Sequence, residues 1–116
     1  MSKLHLFRDT IIRPEASDPA QDRIVSGDPK AETINVFEGS DGKVFSGIWR
    51  ATKGSWGVSY DETEYCHVTS GRARLIEDTG KVTEVKSGDG FVIEAGFVGI
   101  WEVLEDMEKH YMIVLP

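Results

Sequence analysis

Residues 64–101 carry the pattern that decides the fold. They run EYCHVTSGRARLIEDTGKVTEVKSGDGFVIEAGFVGIW, in short stretches that alternate apolar and polar residues. Turn-forming runs separate the stretches, namely residues 78–80 (DTG) and 87–90 (SGDG). Alternation with a period of two is typical of β-strands, and Gly and Asp favour the tight turns between them. The pattern predicts strands over residues 64–70, 72–77, 81–85, 91–94 and 98–104, with Gly71 ending the first.

The same pattern continues on both sides of this segment. It predicts further strands over residues 33–37, 44–53, 56–60 and 109–115. No stretch after Glu32 has an apolar stripe with the helical period. A chain of short strands joined by Gly-rich turns predicts an all-β sandwich or barrel. Between the last two strands, an acidic run predicts a solvated turn: Glu102, Glu105, Asp106 and Glu108.

The first thirty residues have a different character. They hold three of the four prolines among mostly polar residues, which predicts an extended arm without its own core. Residues 3–7 alternate enough for a short edge strand. We expect residues 1–30 to form an N-terminal arm and residues 31–116 the domain. Two alternatives stay open for the arm: a loosely docked tail, or a segment packed on a second subunit.

Composition limits the classes of function. The chain has 116 residues and a net charge of −7, which is one domain's worth of sequence with an acidic surface. That charge argues against a nucleic-acid partner, and no apolar run is long enough to span a membrane. The single cysteine, Cys66, allows no internal disulfide, and the N-terminus lacks a secretory h-region. We therefore expect a cytoplasmic protein.

The last two predicted strands are apolar on both faces. In residues 98–104 and 109–115, apolar side chains fall at odd and even positions alike. A strand with one face in water would alternate cleanly, so something is expected to cover the outer face. A homodimer is the simplest cover, with the arm as the alternative.

Two spaced motifs suggest a family. The first runs from Glu64 through six residues to Gly71. The second opens with Gly-Asp at residues 88–89 and reaches Gly96, with Glu94 where a proline is usual. These motifs resemble those of the cupins. The closing pattern GFVGIWE at residues 96–102, with KHY at residues 109–111, adds to the resemblance.

Over residues 24–116 the chain is similar to the small RmlC-like cupins grouped with the (S)-ureidoglycine aminohydrolase and ethanolamine-utilisation cupin domains. The resemblance implies a cupin jelly-roll, a double-stranded β-barrel, here with an N-terminal arm. A typical cupin holds one divalent metal with three histidines and the motif glutamate. Of these four ligands, Glu64 alone is present, since other residues stand at the three histidine positions: Val58 and Tyr60 (or Gly57 and Ser59), and Gly99.

One carboxylate cannot hold a divalent metal tightly, because such sites need three or four suitable ligands. The sequence therefore predicts a metal-free pocket without a cofactor. It also gives no basis for the metal-dependent aminohydrolase reaction. A metal pair of His67 with His110 on an outer face is a remote alternative.

Strand alternation predicts which side chains share the barrel interior. If Glu64 points inward, so do Cys66 and Val68, while Tyr65 and His67 point outward. The resemblance implies that Tyr60 and Gly99, at histidine positions of the family, also face inward, which by alternation places Trp101 inside, and Trp49 is expected to line the same cavity. The predicted binding residues are therefore Trp49, Tyr60, Glu64, Cys66 and Trp101.

Glu64 has two interpretations. It is a buried carboxylate with a raised pKa, acting as a general base or binding a cationic ligand near the aromatic rings, or it is a structural group that Tyr60 hydrogen-bonds. Cys66 is either a nucleophile or, as we favour, an inert buried thiol. Lys109 is expected to pair with Glu102 across neighbouring strands.

Three functions follow from these residues. The main prediction is a small-molecule-binding cupin of unassigned activity. The first alternative is an enzyme, a hydrolase or isomerase like the ureidoglycine aminohydrolases, on a small nitrogenous or carbonyl compound with Glu64 as general base. The second alternative is a catalytically inactive dimerisation or regulatory cupin.

Overall fold

A computed structural model gives the structure of the chain and describes residues 2–9 and 11–116, so Met1 and Thr10 of the expected arm lie outside the described residues. The described part has no α-helix, which confirms the all-β prediction. Its elements are two 3₁₀ turns (Phe7–Asp9 and Gln21–Arg23) and nine strands: β1 Glu15–Ala16, β2 Ile24–Gly27, β3 Ala31–Glu38, β4 Val44–Ala51, β5 Gly54–Ser59, β6 Thr63–Glu77, β7 Val82–Lys86, β8 Gly90–Ile93 and β9 Val98–Val114.

Two long strands organise the sheet. β6 and β9 pair antiparallel along almost their whole length, from Thr63 opposite Val114 to Glu77 opposite Gly99. On its other side, β9 pairs with β4 through its C-terminal half and with β5 through its N-terminal half. On its other side, β6 pairs with β8 and then with β7. The sheet therefore curls into two facing halves that share the long strands, which is a jelly-roll barrel.

The two long strands bend where they pass each other at Gly71. The register shifts repeatedly between Val68 and Ala73, and Gly71 has φ of +79°. A Cβ at Gly71 would clash with the backbone of Asp106 and Met107, so only glycine lets the strands approach this closely. The predicted strand break at Gly71 is therefore wrong, because the glycine forms a bulge inside a continuous strand.

The predicted solvated turn at the acidic run is also wrong. Residues 102–108 lie inside β9, and the glutamates among them find arginine partners on neighbouring strands. The nitrogen–oxygen distances are 3.4 Å for Arg74–Glu102, 3.1 Å for Arg72–Glu105 and 2.9 Å for Arg50–Glu108. These cross-strand pairs allow an acidic segment to remain extended.

The core lies between the two halves of the curled sheet. Cys66, Val68, Trp101 and Val103 are at most 2% exposed, whereas Tyr65, on the opposite face of β6, is 48% exposed. The inward and outward positions on these strands are those that alternation predicts. These four side chains, one indole and three small groups, form part of the packed barrel interior.

The arm pairs with strands of its own chain. β1 extends the sheet beside β3, and β2 extends it beside β5, so the arm satisfies backbone groups of two strand edges. Residues 3–7 contain no strand. Instead the ring of Phe7 packs on His110 with 4.9 Å between centroids, which covers part of the outer face. None of the helical turns in the described part of the chain has the length and hydropathy needed to cross a bilayer.

Candidate functional site

A buried ion pair occupies the centre of the barrel. The Nζ atom of Lys109 donates a hydrogen bond to Oε2 of Glu64 over 2.9 Å, and the two side chains are 4% and 6% exposed. Glu64 lies on β6 and Lys109 on the adjacent β9, opposite Val68. The lysine side chain reaches back along the strands past Cys66, whose Sγ lies 3.5 Å from Nζ. The pair is positioned by the two strands that also organise the fold.

Two indoles complete the surroundings of the ammonium group. Its Nζ lies 4.7 Å from the ring centroid of Trp49 and 4.7 Å from that of Trp101. Trp49 lies on β4 directly opposite Lys109, and Nε1 of Trp101 donates a 2.9 Å hydrogen bond to the hydroxyl of Tyr60. Indole faces attract cations, more strongly where water is excluded. The ammonium is therefore held by one carboxylate, one sulfur atom and two aromatic faces.

Burial and charge together set the protonation of these groups. Burial is the largest single influence on Lys109 and opposes its charged form, but the charge interactions with Glu64, Cys66 and Tyr60 and the hydrogen bond to Glu64 together outweigh burial and raise the lysine pKa above its ordinary value. Burial raises the pKa of the Cys66 thiol to about 12, although the nearby ammonium acts in the other direction. Burial likewise raises the pKa of Tyr60. At neutral pH Cys66 is thus a thiol, and it lacks the thiolate character of a nucleophile.

Two of the predicted contacts differ from those observed. Tyr60 does not hydrogen-bond Glu64, because its hydroxyl accepts from Trp101 while Lys109 takes the carboxylate. Lys109 does not pair with Glu102, because both residues belong to the same strand and point to opposite faces. Glu102 pairs with Arg74 instead.

A cavity of about 250 Å³ opens beside the ion pair and is called the Glu64 cavity here. On one side of it the hydroxyl of Tyr111 donates a 2.7 Å hydrogen bond to Oδ1 of Asn35. Burial and the charge of Glu64 raise the pKa of Tyr111 to about 12, so it remains a donor at neutral pH. The cavity is lined by Thr33, Asn35, Phe45, Trp49, Glu64, Tyr111 and Ile113.

The structure divides the predicted binding residues into two groups. Trp49 and Glu64 line the Glu64 cavity, whereas Tyr60, Cys66 and Trp101 lie in the interior around Lys109. Sequence reasoning missed Lys109 as an interior residue and missed several cavity residues, including Asn35 and Tyr111. A signal for two of these existed. In a continuous strand β9, Lys109 and Tyr111 share the odd, inward positions of Trp101 and Val103.

The donors around Glu64 do not fit a divalent metal. Within the described ranges, no three His, Cys, Asp or Glu side chains lie close enough together to hold one. His67 and His110 face each other in register on the outer side of the sheet, away from Glu64. In addition, the carboxylate of Glu64 already accepts a hydrogen bond from the Lys109 ammonium. This ammonium would repel a divalent ion 4 Å away by roughly 8 kcal/mol at an effective dielectric constant of about 20.

Comparison with known proteins identifies the family. The model of the EutQ-like cupin domain matches residues 31–111. A protein of unknown function of the DUF861 family from Pseudomonas syringae pv. tomato superposes with a TM-score of 0.81 at 22% identity, over 92% of this chain and 46% of that one.

Two proteins described as EutQ also share the fold. EutQ of Clostridium difficile has a TM-score of 0.67 at 17% identity, over 74% of this chain and 63% of that one. A putative EutQ of Salmonella typhimurium has a TM-score of 0.67 at 12% identity, over 90% and 98%. The chain thus spans less than half of the Pseudomonas protein and under two thirds of the Clostridium one. None of the curated proteins matches it in sequence. The family match, supported by the shared fold, shows that the chain belongs to the EutQ-like cupin domain family.

Proposed function

We propose that the protein binds a small molecule in the Glu64 cavity without a metal ion. The observation that carries this proposal is the position of the Lys109–Glu64 pair, which is almost fully buried and whose glutamate forms part of the cavity wall. Burying two charges costs roughly several kcal/mol per ion, and a protein with well-packed apolar residues in place of a buried ion pair is often just as stable. A buried charged pair whose carboxylate lines a cavity is therefore better explained by recognition than by stability.

The lining suggests the kind of ligand. Trp49, Phe45 and Ile113 provide apolar walls, while Glu64 and Asn35 provide polar groups. Lys109 neutralises the charge of Glu64, so an ionic ligand would enter without a free counter-charge from this pair. At about 250 Å³ the cavity is below the usual range for drug-sized ligands. The fitting ligand is a small neutral compound with a hydrogen-bond donor for Glu64 and a flat or apolar part for Trp49.

The ion pair supports binding rather than general-base catalysis by Glu64. A base must accept a proton, and protonation of Glu64 would leave Lys109 as an uncompensated buried cation. This weighs against the alternative of a ureidoglycine aminohydrolase-like enzyme. The open cavity weighs against an inactive module with a filled barrel, although Tyr60 and Trp101 do fill the space behind Lys109.

A thermal-shift screen of small neutral amides, ureas and alcohols, with amines and carboxylates for comparison, would find a first ligand. Calorimetry would then compare the wild type with Glu64→Gln and Tyr111→Phe, which change the cavity in different ways. We expect each variant to weaken binding about tenfold, the value of one lost hydrogen bond. Glu94→Gln, an exposed glutamate in the turn after β8, is the matched control and is expected to bind normally. Equal affinity in all four proteins would exclude the cavity as the site.

We also propose that a second copy covers the outer face of the sheet. Four apolar side chains lie bare there on three adjacent strands, and they form the outer apolar patch: Tyr65, Val92, Met112 and Val114, 43–63% exposed. Ile11 of the arm is 98% exposed as well. Contiguous apolar surface of this kind is typical of subunit interfaces. Sedimentation at micromolar concentration should show a dimer that Met112→Glu dissociates, and a monomeric wild type would contradict this proposal.

A further inference from the structure

The interior of the barrel has the composition of a cation-binding site, which adjoins the Glu64 cavity and shares Glu64 and Trp49 with it. Four groups surround the Lys109 ammonium and are called the cation box here. The carboxylate of Glu64 lies at 2.9 Å, Sγ of Cys66 at 3.5 Å, and the ring centroids of Trp49 and Trp101 at 4.7 Å each.

Each wall of the cation box favours a positive charge. The carboxylate supplies the counter-charge, and it is itself 6% exposed, so water provides little compensation. The two indole faces add cation–π attraction, which is largest where the cation is desolvated. Because Cys66 stays a thiol at neutral pH, its sulfur can accept a hydrogen bond without adding a second negative charge. Without a cation, the box would hold an unpaired buried carboxylate, which is strongly unfavourable.

We propose that the cation box is a binding site for a primary ammonium group and that Lys109 is its permanent occupant. The box distinguishes an ammonium from a divalent metal, because it offers one carboxylate and two aromatic faces where a metal needs three or four donor atoms. A chain in which Lys109 is shortened therefore accepts a free primary alkylammonium ion in the same position. This inference does not rest on the ligand proposed for the Glu64 cavity.

Chemical rescue tests the proposal directly. Lys109→Ala removes three methylene groups and the ammonium, which together match n-propylammonium. Calorimetry would titrate n-propylammonium chloride into this variant, with n-propanol as the neutral compound of the same size and sodium chloride as the salt control. We expect saturable binding of n-propylammonium at least about tenfold tighter than n-propanol. The wild type, whose box is filled, and Lys86→Ala, which removes an exposed lysine from β7, should show no preference for n-propylammonium over n-propanol.

Two results would overturn the proposal. One is a folded Lys109→Ala protein that shows no binding of n-propylammonium. The other is equal binding of n-propylammonium and n-propanol, since this would show that the compounds only fill space. Adding Glu64→Gln to Lys109→Ala should remove the preference for the ammonium, because the counter-charge is then gone.

If Lys109→Ala does not fold, a measurement on the wild type tests the proposal instead. Nitrogen-15 NMR at neutral pH should show one lysine ammonium signal protected from exchange with water, assigned to Lys109 by its absence in Lys109→Arg. The signal should shift in Glu64→Gln. A Lys109 signal that exchanges as fast as those of surface lysines, or that has the shift of a neutral amine, would overturn the proposal. Neither experiment depends on finding the cavity's ligand, so its failure is distinct from failure of the proposed function.

Discussion

Removing one charge of the Lys109–Glu64 pair should cost far more stability than removing both. The perturbation is a double-mutant cycle with Lys109→Met and Glu64→Met, in which an unbranched apolar side chain replaces each charged one. Arg74–Glu102, the surface pair at 3.4 Å with side chains 44% and 32% exposed, provides the matched control cycle.

The magnitude follows from the geometry. At the observed 2.9 Å, two unit charges attract by about 6 kcal/mol at an effective dielectric constant of about 20. Burial of the charges offsets much of this attraction, so removal of both should change stability by no more than about 2 kcal/mol. Removal of one leaves the other charge buried and unpaired, at a cost of about 3–5 kcal/mol. The coupling energy is then at least about 4 kcal/mol, whereas the surface pair should give about 1 kcal/mol or less.

Urea denaturation of the four proteins in each cycle gives these energies, with the free energy of unfolding extrapolated to water. The expected result is a double variant more stable than either single variant. If the single substitutions each cost less than about 1 kcal/mol and add like those of the surface pair, the reasoning is refuted. In that case the two groups would be hydrated in solution and the pair would not be a buried one.

Three further predictions concern pH, reactivity and backbone geometry. Because the folded-state pKa of Lys109 is raised, the stability that this residue contributes is complete below its unfolded pKa of about 10.4 and is lost as the pH rises through the folded-state pKa. The urea midpoint should therefore fall more steeply at alkaline pH in the wild type than in Lys109→Met. Parallel pH dependences of the two proteins would contradict this. Because its pKa is raised to about 12, the Cys66 thiol should resist alkylation by iodoacetamide near pH 8.5 in the folded protein and react in urea, which mass spectrometry would measure. Rapid alkylation of the folded protein would contradict this, because it would mean that the thiol is accessible. Gly71→Ala should destabilise the fold by at least about 1–2 kcal/mol because of the positive φ at this position, and the clash of the new Cβ with the backbone of Asp106 should add to this cost. An unchanged urea midpoint would argue against the bulge.

Local patterns predicted those features of the fold that depend on alternation. The period of two placed Cys66 and Trp101 inside and Tyr65 outside, because each step along a strand reverses the side chain. The pattern failed at Gly71, where a glycine that commonly ends a strand instead forms a bulge within one. It failed again at the acidic run, because Arg50, Arg72 and Arg74 come from distant parts of the chain.

The centre of the site could be predicted only in part for the same reason. Glu64 was found through its motif, but its partner lies 45 residues away and is brought to it by the pairing of β6 with β9. Once a turn was expected within residues 102–108, the inward position of Lys109 was hidden. Asn35 was missed because the two β3 residues that line the cavity, Thr33 and Asn35, are both polar, so the sequence pattern did not mark their face of the strand as inward.

We propose that the barrel binds its ligand beside its own ammonium–carboxylate pair and without a metal. Metal analysis by plasma mass spectrometry tests it most directly, on untagged protein purified and dialysed without chelator. We expect far less than one equivalent of manganese, iron, nickel or zinc per chain. Near-stoichiometric content of any of these metals, lost in Glu64→Gln, would contradict it and would mean that Glu64 is a metal ligand.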